Sequence, residues 1–257
     1  MGLIMILNSF SELFLFILFI SMLKFLVLFV APYFIFWSWF PKTLWKHKIQ
    51  QVPRIKPILF FEFSYSMLSV LIQSLFLAFL FWGSQQGYFQ MHLGFGTRGY
   101  ELELLAFASY FIIYDIYFYW SHRLLHVGWL YKNVHSIHHR SSNPTPLAAY
   151  SFHPIETLIN VFYMLPFVFI FPVSYELFVL LLLLTDLSNL GGHFGFEVFP
   201  LRMIDSKFGN WLTTPTHHNL HHQYSKSNFS LYWNGWDEMF KTSHPKTRSE
   251  FHRIKSQ

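Results

Sequence analysis

The sequence predicts an all-α fold: a polytopic helical membrane protein with about four spans plus a short helical hairpin, and a histidine cluster on its cytoplasmic face. Three observations lead there. Of the 257 residues 53% are hydrophobic and only 12% charged, about half the charge of a soluble domain. Apolar runs long enough to cross a bilayer recur along the chain, and the histidines crowd its second half. There is no cysteine, which excludes disulfides, thiolate metal sites and iron–sulfur clusters.

A helix needs roughly 20 apolar residues to cross the hydrocarbon layer. The first such run lies within 13–37, with Lys24 as an anomaly inside it, the second is 57–82 and the third 102–120. A further stretch, 154–190, is interrupted at Phe171-Pro172-Val173-Ser174. Proline removes a backbone donor and favours a break there, so this stretch is expected to form a tight hairpin with short arms. The N-terminus has neither a basic leader nor a small-residue cleavage site and is expected to be retained.

Loop charge predicts orientation. Segment 38–56 carries Lys42, Lys46, Lys48, Arg54 and Lys56 without an acid, and 121–153 carries Arg123, Lys132 and Arg140 without one. The region after 201 has eight Lys/Arg against four Asp/Glu, whereas 83–103 holds only Arg98 beside Glu101 and Glu103. The positive-inside rule places the first three in the cytoplasm and 83–103, with the N-terminus, outside. The net charge of +5 is then a matter of topology and anionic lipid, and no basic groove suggests nucleic acid.

Thirteen of the fifteen histidines follow residue 120. Three groups are regularly spaced: His122 and His126 as HxxxH, then His135, His138 and His139 and again His218, His221 and His222, each as HxxHH. Residues at i, i+3 and i+4 share a helix face, so each group presents its imidazoles together near a helix end. Eight imidazoles cannot all be charged at close range; cations between neutral rings resolve the conflict. Eight ligands exceed one tetrahedral ion, so two ions are the economical count. An all-nitrogen set suits iron, zinc or copper, and spacing does not choose among them. A metal transporter or metal-binding protein is the alternative class, although transporters place ligands near mid-membrane on broken helices. A histidine pH sensor does not need three ordered boxes.

The frame around the boxes, YWSHRLLH, HSIHHRSSNPTP, TPTHHNLHH and WDEMF, resembles the fatty acid hydroxylase / sterol desaturase superfamily of membrane di-iron oxygenases. The likeness covers roughly 105–242, leaving 1–104 as an N-terminal transmembrane region and 243–257 as a basic tail. It implies the eight box histidines as ligands of two non-haem iron ions that use O2 to hydroxylate or desaturate a C–H bond of a lipid such as a fatty acyl, sterol or alkylglycerol lipid. It also implies a multi-pass membrane location, in a bacterial inner membrane or the endoplasmic reticulum. Relatives often read W-D-x-x-F-G-T where this chain has Lys241 in place of glycine, which puts that turn in question.

Further candidates surround the boxes. His193 matches a ligand position in the hydroxylases, or binds a carbonyl at its helix end. Glu197 is a ligand, an acceptor behind a ligand, or simply interfacial. His153 is structural or metal-linked, and His217 points off the box face, behind the ligands. Asp115 and Asp186 lie two turns deeper than His122 and His193, about 10 Å, and are expected to support ligands on neighbouring helices. Asn189 and Tyr114 belong with them, or pack helices. Electrons must come from outside: no G-x-G-x-x-G follows a strand, and His153-Pro154-Ile155-Glu156 is not the H-P-G-G of a fused cytochrome b5 domain. A cytochrome b5- or ferredoxin-like donor with its reductase is expected to dock on the basic face at Lys207, Lys226, Lys241, Lys246 and Arg248.

Overall fold

A computed structural model describes residues 7, 9–51 and 56–256. The N-terminal end expected outside the membrane, Arg54 and the side chain of Lys56 lie outside the described residues. Among the described residues four helices are long and apolar enough to cross a membrane: α1 (Phe10–Trp39), α2 (Ile58–Gln85), α3 (Tyr100–Leu125) and, after α4 (128–139) and α5 (Pro154–Ile170), α6 (Tyr175–His193). The fourth span is thus the second arm of the expected hairpin, and α5 is its shorter first arm, broken at Tyr163. The chain is a multi-pass membrane protein by this count. Of the shorter helices, α7 (Pro215–Tyr224), α8 (Gly235–Met239) and α9 (Thr247–Lys255) follow α6.

Local chemistry starts and bends these elements. Ser9 and Glu12 form a reciprocal capping box on α1, satisfying two otherwise unpaired N–H groups. Pro32 lacks an N–H and would crowd the carbonyl four residues back. On either side of it, at Leu26–Val30 and Tyr33–Trp39, the helix widens to i→i+5 turns, which relieve such a clash. Ser174 caps α6 by accepting from Leu177 N, so the hairpin turn at 171–174 both ends one arm and begins the next. The core between the spans is aromatic, with Tyr110, Tyr163, Phe167 and Phe178 fully enclosed. Outward-facing Leu15 and Phe19 are more than 60% exposed, as lipid-facing residues are.

Hydrogen bonds fix which loops share an end. At one end Gln90 N donates to Val168 O and Met91–His92 pairs in parallel with Val173–Ser174, so the 83–103 loop sits on the hairpin turn. At the other, Ile49 N donates to Gly195 O, Glu197 N to His47 O, and Gln50 Nε2 to Ser142 O and Asn219 Oδ1. The described part of the basic segment 38–56, the segment 121–153 and the region after 201 therefore meet at a single end of the helices. Because the chain has no cysteine, single substitutions Gln90→Cys and Arg140→Cys give a clean topology test. Impermeant maleimide should label one from each side of sealed vesicles, and labelling of both from the same side would contradict the fold.

Candidate metal centre

The histidines sit where spans end. His122 is in the last turn of α3 with His126 just beyond it, His193 closes α6, and α4 and α7 supply the two HxxHH boxes. The last of these helices is unusual. α7 is polar, yet every residue from Pro215 to His222 is buried. Thr214 caps it, accepting from His217 N, and Pro215 occupies its first turn. Burying such a helix is costly unless its polar groups find partners.

They find each other. His122, His126, His135, His139 and His221 form one group, and His138, His193, His218 and His222 a second, with ligand atoms in each within 4.8 Å of one another. The boxes do not stay intact as single faces. His135 and His139 enter the first group while His138 enters the second; His218 and His222 enter the second while His221 enters the first. Helix geometry explains the split. Residue i+4 lies about 40° to one side of i and i+3 about 60° to the other, so i and i+4 stay together and i+3 reaches across.

Ring orientation is set from behind. His122 Nδ1 lies 2.9 Å from Phe229 O, His138 Nδ1 3.3 Å from Ser151 O, His193 Nδ1 2.9 Å from Asn189 O and His221 Nδ1 2.6 Å from Ser227 O. A carbonyl oxygen only accepts, so Nδ1 carries the proton and Nε2 keeps a lone pair. His135 Nδ1 similarly meets Glu156 Oε1 at 2.7 Å, in a fully enclosed pair. In the second group Nε2 of His193 lies 3.3 Å from that of His138 and 3.2 Å from those of His218 and His222, which are 3.1 Å apart. The His193 and His138 lone pairs face each other with no proton to share. Four nitrogens about 2.0–2.1 Å from one tetrahedral ion are spaced about 3.3 Å apart, which is the spacing observed. In the first group, His126 Nε2 and His221 Nε2 are buried without a hydrogen-bond partner among the described residues. The donor set fits two metal ions.

Electrostatics keeps the rings neutral. Burial, then repulsion by neighbouring histidines, holds His135, His138, His218, His221 and His222 well below the usual imidazole range. His139 falls to about 3, again through burial first.

The remaining candidates hold the frame. Burial pushes the Asp237 carboxyl up, but contacts from His217, Thr242 and Ser230 outweigh it and hold it below its ordinary range. Asp237 accepts from Phe229 N at 2.8 Å, Ser230 N at 3.0 Å and Thr242 Oγ1 at 2.7 Å, and lies 3.2 Å from His217 Nε2. It thereby fixes the segment whose Phe229 carbonyl orients His122. The turn after it survives the glycine replacement: Lys241 adopts φ +55°, and Thr242 N still reaches Asp237 O at 2.7 Å. Glu197 is in neither group; it accepts from Thr216 N and Oγ1 and from Phe199 N, anchoring the start of α7. Burial raises its carboxyl, against those hydrogen bonds. His153 is in neither group, and its Nδ1 accepts from Ile155 N as the cap of α5.

Asp115 accepts from Tyr232 N at 3.0 Å and Trp236 Nε1 at 2.8 Å, tying α3 to α8 and the segment before it. Asp186 meets Lys24 and Tyr150. Neither bonds a histidine. Asn189 donates through Nδ2 to Ala149 O, and it is its main-chain carbonyl that supports His193. Tyr114 stacks on Tyr163 with ring centroids 4.0 Å apart.

Glu156 is the residue that sequence reasoning missed. Its one signal was an acid in the first turn of an apolar arm, where helix polarity alone accounts for it. Glu156→Gln is expected to lower metal affinity roughly 10-fold, within the range for partners behind ligating histidines. Competition with a graded chelator measures this, and unchanged affinity would mean that the carboxylate only packs.

A cavity of about 540 Å³ opens onto both groups: His122 and His135 of the first and His138, His193 and His218 of the second line its wall. Its other walls are largely apolar, including Phe111, Phe118, Leu184 and Leu187. The volume suits a lipid-sized ligand.

Fold and site together define a polytopic helical membrane protein built around paired histidine sites beside an apolar cavity. The chain belongs to the fatty acid hydroxylase family, whose sequence profile matches residues 107–242. It is similar to human lathosterol oxidase, 31% identical over 174 residues, 67% of this chain and 55% of that one. The Delta(7)-sterol 5(6)-desaturase of Gibberella zeae is 29% identical over 168 residues, 64% of this chain and 49% of its own. Methylsterol monooxygenase 2-2 of Arabidopsis thaliana is 57% identical over 49 residues, 19% of this chain and 18% of its own. The chain spans about half the length of the first two of these relatives. No solved structure matches it.

Proposed function

We propose that this chain is a membrane di-iron oxygenase that hydroxylates or desaturates a C–H bond of a lipid, with its metal centre facing the cytoplasm. The observation that carries the reading is the convergence of nine imidazoles into two groups, four of them turned by main-chain carbonyls, which only accept, so that Nε2 points at its neighbours, and a fifth held by Glu156. An oxidase, a desaturase and a monooxygenase among the similar proteins favour a redox-active metal over zinc, which has no redox chemistry. Two bound iron ions would supply O2 activation.

The protein's own part is positional. Carbonyls of Phe229, Ser151, Asn189 and Ser227 hold the rings, Glu156 and Asp237 hold the frame, and the apolar cavity holds the lipid against the histidine wall while excluding water. The basic loops gathered at the histidine end support the cytoplasmic assignment, in a bacterial inner membrane or the endoplasmic reticulum. A transporter reading is less well served, since both groups lie at span ends rather than on broken helices at mid-membrane. The test is elemental analysis of active protein purified from iron-replete cells. Two iron atoms per chain are expected; one or none in active protein would refute the proposal.

A further inference from the structure

Lys24, the anomalous cation of the first span, is not stranded in lipid. Its Nζ lies 2.5 Å from Asp186 Oδ2 and 3.4 Å from the Tyr150 hydroxyl, which in turn donates to Asp186 Oδ1. Ionisable groups inside a membrane are costly and mark functional sites by default. This trio lines a small cavity of about 70 Å³ together with Gln73 and Asn160, in a wall that is otherwise largely apolar, with Leu77, Val161, Met164 and Leu182 among it. Both amides are half-buried and neither has a hydrogen-bond partner among the described residues. An amide without a partner in a membrane interior is expensive, and two in the wall of one cavity beside a neutralised ion pair offer donors and acceptors to a polar group.

That cavity adjoins the larger one. Phe118, Phe152, Asn160 and Asn189 belong to the walls of both. Phe118 lies against His122, with ring centroids 5.0 Å apart, and Phe152 against His138 at 4.7 Å. One phenylalanine thus stands between the smaller cavity and each histidine group.

We propose that the few polar groups of this cavity bind the single polar group of the lipid substrate, and that this group is an uncharged hydroxyl. The inference rests on the lipid-oxidising reading of the larger cavity. Charge selects the ligand: Lys24 is already neutralised by Asp186, so a carboxylate would enter beside an acid with no free cation to meet it. Size selects it too. About 70 Å³ is room for roughly two waters, enough for a hydroxyl and its carbon but not for a phosphate headgroup. A hydroxyl both donates and accepts, as each amide does. Depth then limits where oxidation occurs. Asn189 lies one turn below His193 and Asp186 two turns below it, about 5–10 Å along the axis. The oxidised carbon therefore lies within roughly that distance of the hydroxyl, in the same ring system or the first few carbons, and not at a remote chain end.

The test is equilibrium binding of tritiated lathosterol to the full-length, metal-loaded protein in lipid nanodiscs. Unlabelled lathosterol, its 3-O-methyl ether and palmitate serve as competitors, and hexadecanol and its methyl ether form a second pair so that sterol shape does not decide the result. In both pairs the free alcohol should compete about 10-fold better than the ether, the size of one neutral hydrogen bond, and palmitate should not compete. Asn160→Leu and Gln73→Leu should each shrink the alcohol's advantage. Equal competition by alcohol and ether in both pairs, stronger competition by palmitate, or an advantage untouched in both variants would overturn the proposal. Iron is counted in the same samples. Lost alcohol preference with two irons present sinks only the hydroxyl site, and a kept preference without iron sinks only the di-iron reading.

Discussion

Alanine at position 193 is expected to leave one metal ion of two and no measurable turnover. His193 sits at the middle of the second group, its Nε2 3.2–3.3 Å from those of His138, His218 and His222. Removing it leaves three nitrogens around a gap in a four-nitrogen set. Loss of a partner behind a ligand already costs 10–100-fold, and loss of the ligand itself should exceed that. Alanine at each of the eight box histidines should also abolish turnover and lower metal content. His153→Ala is the contrast: it removes a helix cap, worth about 1 kcal/mol of stability, and should keep both metals. Metal per chain and product formation, measured on the same preparations, check the pair. Full activity in His193→Ala would remove it from the ligand set.

Catalysis without a separate electron donor is expected to stop after at most one turnover. O2-dependent hydroxylation needs two electrons beyond those of the substrate, and this chain has no cysteine for an iron–sulfur cluster and no dinucleotide fingerprint. Lys207, Lys226, Lys241 and Lys246 are exposed at the histidine end, while Arg248 is paired with Asp205 at 2.9 Å. An acidic cytochrome b5- or ferredoxin-like protein with its reductase should restore turnover, at a rate that falls as salt rises. Sustained turnover of the isolated chain on NAD(P)H would refute the need for a donor, and a salt-independent rate would refute electrostatic docking.

Much of the centre was legible because its signals are local. A run of apolar residues reports a span wherever it sits, Pro172 reports the hairpin turn, and HxxHH reports imidazoles on neighbouring parts of one helix. The supports behind the rings were less legible. Glu156 reaches His135 across 21 positions and the Phe229 carbonyl reaches His122 across 107; main-chain carbonyls leave no mark in a sequence, and a lone acid leaves an ambiguous one. Asp115 and Asp186 were marked as unusual by their depth in the membrane, but depth does not name a partner. One holds the Tyr232 backbone and the Trp236 indole, the other the Lys24 ammonium.

The sequence by itself determined that this protein is helical, crosses a membrane several times and carries its histidines at the ends of spans, because hydropathy and helical periodicity act within a few turns of chain. Only the tertiary structure decided how nine histidines divide into five and four. Residues i+3 and i+4 diverge by about 100° around a helix, so each box faces two ways, and which group each ring joins depends on where α3, α4, α6 and α7 meet.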